Sequence, residues 1–192
     1  MKQFSKYERK EVSNFEILPK GAYVVKILNV KEEQNANGNG SHLSIAFDIA
    51  EGEYAGFYKR QFDSNNNEDK HWSYDGVYRL NCPDDSSEQW MIDKFNQFMT
   101  IIEDCNNGYH WNWDESTLKD KIFGGKFANE QSAGQDGTIY DHTKLKWVCS
   151  VDVVRSGKFG KMPNDKLVTP SNNGEAVANS GFGTSAEEEI PF

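Results

Sequence analysis

Apolar residues fall on every second position from His42 to Ala50, where Leu43, Ile45, Phe47 and Ile49 share one face. That two-residue rhythm predicts a half-buried strand. Upstream, Gly21–Lys31 is a β-branched run after Pro19 and predicts a second strand. The Asn- and Gly-rich stretch Gln34–Gly40 joins the two as a long hairpin. Glu51–Gly56 predicts a turn into a third strand near Phe57–Phe62, followed by a polar loop over Asp63–Lys70. The rhythm changes after Pro83. Met91, Phe95, Phe98 and Ile102, spaced 4, 3 and 4, make one apolar stripe and predict a helix between Ser86 and Cys105. Asp85 and Glu88 stand at the spacing of a capping box, and Asp84-Asp85 reads as helix capping. Two more strands are predicted over Lys121–Glu130 and Leu145–Val154, around a Gly-rich turn at Ser132–Gly137. In the last strand Leu145, Trp147, Cys149, Val151 and Val153 share an apolar face, and Lys144 and Lys146 point the other way.

Three strands, one helix and two strands is the element order of an OB-fold, a five-stranded Greek-key barrel with its helix between strands three and four. A β-sandwich with an added helix is the other mainly β arrangement this order permits. Four segments follow. Residues 1–14 form a polar, slightly basic arm, and residues 15–163 form the barrel. Residues 164–186, rich in Gly, Ser, Asn and Thr, form a flexible, disordered linker, and residues 187–192 form an acidic tip.

At 192 residues, 36% hydrophobic and 13% aromatic, the chain holds one core rich in rings. The net charge is −9. Of 21 basic and 30 acidic residues, 20 and 25 precede Asn164, which leaves the body at −5 and the remainder at −4. An acidic body counts against non-specific nucleic-acid binding, which rests on Lys and Arg, although grooves bind through local charge. Cys82, Cys105 and Cys149 are odd in number and form no CxxC pair, which argues for a reducing compartment and against a disulfide frame or zinc site. The N-terminus has no apolar signal region and no window approaches a membrane span, so a cytoplasmic protein is expected.

Catalytic patterns are absent. His42, His71, His110 and His142 show no metal-binding spacing, and Gly124-Gly125-Lys126 lacks the upstream Gly of a phosphate loop. Neither an enzyme nor a cofactor or metal is expected. Binding of single strands needs rings for bases and cations for the backbone. Tyr58, Lys59, Arg60 and Phe62 interleave both within six residues. Lys126 and Phe127 adjoin on the fourth strand. Lys144, Lys146, Arg155, Lys158, Phe159 and Lys161 make the region of the fifth strand the most basic, and Trp72 and Tyr74 lie before the helix. Trp147 is expected to be buried, whereas Trp111 and Trp113 read either as rings for bases or as plugs of a barrel end.

The chain ends Glu187-Glu188-Glu189-Ile190-Pro191-Phe192. Acids for a basic rim, a ring for an apolar pocket and a free carboxylate suit capture by a partner protein. This tip resembles that of bacterial single-stranded DNA-binding proteins, with Glu in place of the usual Asp. The resemblance implies recruitment of replication, recombination and repair enzymes. The body resembles a family of phage proteins found among recombination and replication genes, through Leu18–Tyr23, Phe47–Gly56 and the basic segment ending at Pro163. It implies a phage-encoded single-strand binder. The expected function is therefore sequence-tolerant binding and protection of single-stranded DNA, with client recruitment by the tip. The alternative is an adaptor that mimics the host tip without binding DNA, and an enzyme acting on nucleic acid is a third class. A linker reaching about 25–30 Å would also let the tip compete with DNA for the groove.

Overall fold

The computed structural model describes residues 16–168. The arm, most of the linker and the tip Glu187–Phe192 lie outside the described residues.

Five strands build one open antiparallel sheet: β1 (Gly21–Gln34), β2 (Ser41–Ile49), β3 (Val77–Cys82), β4 (Ile122–Ala133) and β5 (Ile139–Cys149), in the order β3-β2-β1-β4-β5. Three helices accompany it: α1 (Phe57–Ser64), α2 (Gln89–Cys105) and α3 (Val151–Arg155). The fold is mainly β. The expected β1–β2 hairpin forms, with Val25 opposite Ile49 at one end and Gln34 opposite Ser41 at the other. β1 also pairs with β4, Gly21 opposite Phe127, so it is the central strand.

One face of the sheet carries the core. Val25 and Ile27, then Leu43, Ile45, Phe47 and Ile49, then Leu80, Phe123 and Phe127 pack beneath Phe95, Phe98, Met99 and Ile102 of α2. Of the expected stripe on α2, Phe95, Phe98 and Ile102 bury against the sheet, Met91 is half-buried, and Met99 joins the core as well. Asn106 fixes the helix's end, accepting from Ile122 N at 3.0 Å and donating to the Ile102 and Ile122 carbonyls. The expected capping box does not form. The Glu88 side chain makes no cap bond, and Asp84 instead accepts from Ser86 N and both serine hydroxyls, closing a turn ahead of the helix.

The third strand differs from expectation. Phe57–Phe62 is helical, and the strand beside β2 is Val77–Cys82. The cause is Asp48 at the end of β2, 6% exposed, whose carboxylate accepts from Tyr58 N at 2.9 Å and Lys59 N at 3.1 Å. Those are free amides of a first helical turn, and an acceptor there favours a helix over an extended chain. Gly56, at φ 72, supplies the left-handed residue that turns the chain into it.

β5 also ends early. Ser150 caps α3, which folds back over the outer face of β1 and β4 where Gly124 leaves room for Val154. Val151 and Val153 are thus helical, not members of the strand. Residues 165–168, at the head of the expected linker, run beside β4: Lys166 N donates to Asn129 O, and Gln131 N to Lys166 O.

Candidate nucleic-acid interface

The outer side of β4–β5 turns on one irregularity. Lys126 lies opposite Trp147 but the next residue, Phe127, lies opposite Leu145, so Lys146 is an extra residue in β5. Such a bulge interrupts the alternation of faces. Leu145 enters the core, and Trp147, contrary to expectation, stays outside it. The ammonium groups of Lys126 and Lys161 each stand 5.9 Å from the Trp147 ring centroid. Lys126 is held there by the carbonyls of Phe159 and of Lys161, the latter at 2.9 Å. Phe159 is half-buried beside exposed Lys158. One indole, two flanking cations and a neighbouring Phe thus share one surface.

A second group forms around α1 and the 3-10 turn Tyr74–Gly76. Phe62 packs on Trp72 with centroids 5.9 Å apart, and Lys70 lies 4.6 Å over the Phe62 ring. His71 stands 5.0 Å from Tyr74, which is 70% exposed. Trp72 donates to Gly76 O at 3.1 Å, fixing its ring.

The second group reaches β5 in the gap between β3 and β5. There the turn lies against β5, and Asp75 contacts His142 at 3.1 Å and Lys144 at 3.5 Å. Acids hold most of the other expected cations. Lys146 pairs with Glu130, Lys59 with Asp63 at 2.7 Å, and Arg155 reaches both carboxylate oxygens of Glu51 at 2.6 and 3.2 Å. Arg60 donates to Ala55 O. Burial pushes the Glu130 carboxyl up, but the hydrogen bond and charge of Lys146, with Lys166 and Lys144 behind it, hold it below the ordinary glutamate value.

Two expected stacking rings are removed. Tyr58 is 1% exposed and Phe127 fully buried; both rings belong to the core and neither offers a face to a base. Open strand surface is the expectation for both, and the helix in one case and the core face of β4 in the other exclude it. Sequence reasoning missed Trp147, Lys70 and His71 as surface partners. Only the adjacency of Lys70-His71 to Trp72 signals the latter pair, and no local pattern marks the bulge.

Trp111 and Trp113 cover the outside of α2. Trp113 stacks on Phe95 at 6.3 Å and 14°, yet is 80% exposed. The three cysteines are free and half-buried, and burial pushes each thiol up. Among the described residues no group of three or more His, Cys, Asp or Glu is placed to hold a metal, and no helix is long and apolar enough to cross a membrane.

Residues 5–82 match the family model described as "Protein of unknown function (DUF669)". The match covers less than half of the chain. It ends with β3, so it spans the β1–β2 hairpin, α1 and β3 and stops before α2, β4 and Trp147. No curated protein matches the chain significantly.

Proposed function

We propose that the chain binds single-stranded DNA with little sequence preference and presents Glu187–Phe192 to replication, recombination or repair enzymes. In this reading it works by binding alone, as a phage-encoded protein. The observation that carries it is Trp147, half-buried outside the core between Lys126 and Lys161. A stacking base gains from the ring, and a phosphate gains from the ammonium groups beside it. The Phe62–Trp72–Lys70 and His71–Tyr74 contacts supply further rings beside the turn whose Asp75 meets His142 and Lys144 of β5. The architecture supports the same reading. With its helix between β3 and β4, the sheet suits a partly open OB-type barrel, the class that binds oligonucleotides.

A second reading is an adaptor without DNA affinity, favoured by the acids that already hold Lys59, Lys144, Lys146 and Arg155. Titration of the full chain with labelled oligo-dT over a salt series separates them. Binding that weakens steeply with salt and quenches Trp fluorescence is expected. Absence of binding at low salt would leave the adaptor.

A further inference from the structure

Between the 16–18 segment, α1, the Tyr74–Gly76 turn and β5 lies a cleft of about 170 Å³. Its walls include Leu18 and Phe57, with Tyr58, Asp75, Asp141 and Thr143 as polar lining. We infer that this cleft reads one unpaired base, taking the Watson–Crick edge of a guanine; the inference rests on the single-strand binding proposed above.

The buried polar group is the Tyr58 hydroxyl. Its residue is 1% exposed, yet the oxygen has no hydrogen-bond partner among the described residues. Buried hydroxyls are nearly always paired, so an orphan one on a residue that lines a cleft points to a ligand atom as its partner. Burial first, then the charges of Asp75 and Asp48, push its ionisation far above the ordinary tyrosine range. At neutral pH it is a donor and calls for an acceptor. The carboxylates are the converse: Asp75 already faces His142 and Lys144, and Asp141 Oδ1 accepts from Gln131 Nε2 at 2.9 Å, so only their remaining lone pairs call for N–H groups. Guanine presents a carbonyl oxygen beside one ring N–H and one amino group, which matches that set. Adenine and cytosine put a ring-nitrogen acceptor beside their amino group, against the carboxylates, and thymine has only one N–H between two carbonyls.

Size and charge agree. At roughly 30 Å³ per liquid water, the cleft has the space of about six waters, well below the range of about 300–1,000 Å³ for larger ligands. A planar base fits the scale of the cleft, whereas a whole nucleotide does not. The acids also keep phosphate outside, where Lys144 stands next to Asp75 at the edge of β5. Single-strand readers commonly splay a base out and bond its Watson–Crick edge.

The test is anisotropy of the full chain with oligo-dT strands carrying one central dG, dA, dC or dT. The dG strand should bind about fivefold or more tighter than the others, the discrimination a good base contact supplies. Tyr58→Phe should bring the dG strand to the dT level, and Asp141→Asn, at the cleft mouth, should narrow the ratio. Tyr58→Phe should not lower the melting temperature, because the hydroxyl has no partner to lose among the described residues. No dG preference in the wild type, or a preference that survives both substitutions, overturns the inference and leaves single-strand binding standing. So does a lowered melting temperature with an unchanged ratio, which would make the hydroxyl a structural group bridged by water. Failure to bind any strand overturns both readings.

Discussion

Asp75 and Lys144 close the gap between β3 and β5, carboxylate to ammonium at 3.5 Å, with His142 on the same carboxylate. No strand ladder joins these two edges among the described residues, so this contact stands where a closed barrel would have paired backbone. The pair also withholds a cation from any phosphate. Asp75→Asn should therefore tighten binding of oligo-dT and steepen the dependence of log affinity on log salt by about 0.7 for one added phosphate contact. An unchanged slope would remove Lys144 from the contact surface.

Trp147 should carry much of the affinity. Trp147→Ala is expected to weaken oligo-dT binding by about 1–3 kcal/mol, the range of a single stacked base, and to abolish most of the fluorescence quench. Trp113→Phe, on the outside of α2, should leave both intact. Equal quenching in the two variants would place the strand elsewhere.

The close approach of α3 to the sheet depends on Gly124. A Cβ there would meet Ser150 O at 2.6 Å and Val154 Cγ2 at 2.8 Å. Gly124→Ala should cost about 1–3 kcal/mol of stability in chemical denaturation, as overpacking does elsewhere. It should act by lifting α3 from β1 and β4.

Arg155 ties α3 to the turn after β2, and its hydrogen bond to Glu51 holds that carboxyl below its ordinary value of 4.5. A depressed folded value stabilises at pH above the unfolded value and loses that contribution as pH falls through the folded one. Between pH 6 and pH 3 the wild type should lose a small increment of melting temperature that Arg155→Ala does not. Parallel curves for the two proteins would show the pair to be inert.

Removing Glu187–Phe192 should leave oligo-dT affinity unchanged or tighter while ending capture of client enzymes. A large loss of DNA affinity would contradict the proposed division between body and tip.

The β1–β2 hairpin, β4 and the stripe of α2 are legible in the sequence because their periodicity is local and long. α1 is not, because its cap comes from Asp48, eight residues before the Gly56 that precedes the helix. Phe57, Tyr58 and Phe62 read equally as a short aromatic strand until that acceptor is known. β3 is visible afterwards in the alternation of Tyr78, Leu80 and Cys82, which the nearby aromatics of the connection obscure. The basic surface is legible only as composition. Spatial neighbours decide which of its cations are held by acids, and Glu130 and Glu51 are distant in the chain from Lys146 and Arg155. The outward turn of Trp147 follows from one extra residue in a strand pair, to which a periodicity count is blind.

Asp48 has one more implication, for the order in which the chain assembles. An eight-residue helix cannot sustain itself in water, since nucleating a first turn is unfavourable and few residues follow to repay it. α1 is thus conditional on β2: its first amides find their acceptor only after the hairpin has set that carboxylate in place. A peptide covering residues 53–66 alone would show no helical circular dichroism, and the cleft above α1 could not exist in any partly folded state that lacked the hairpin.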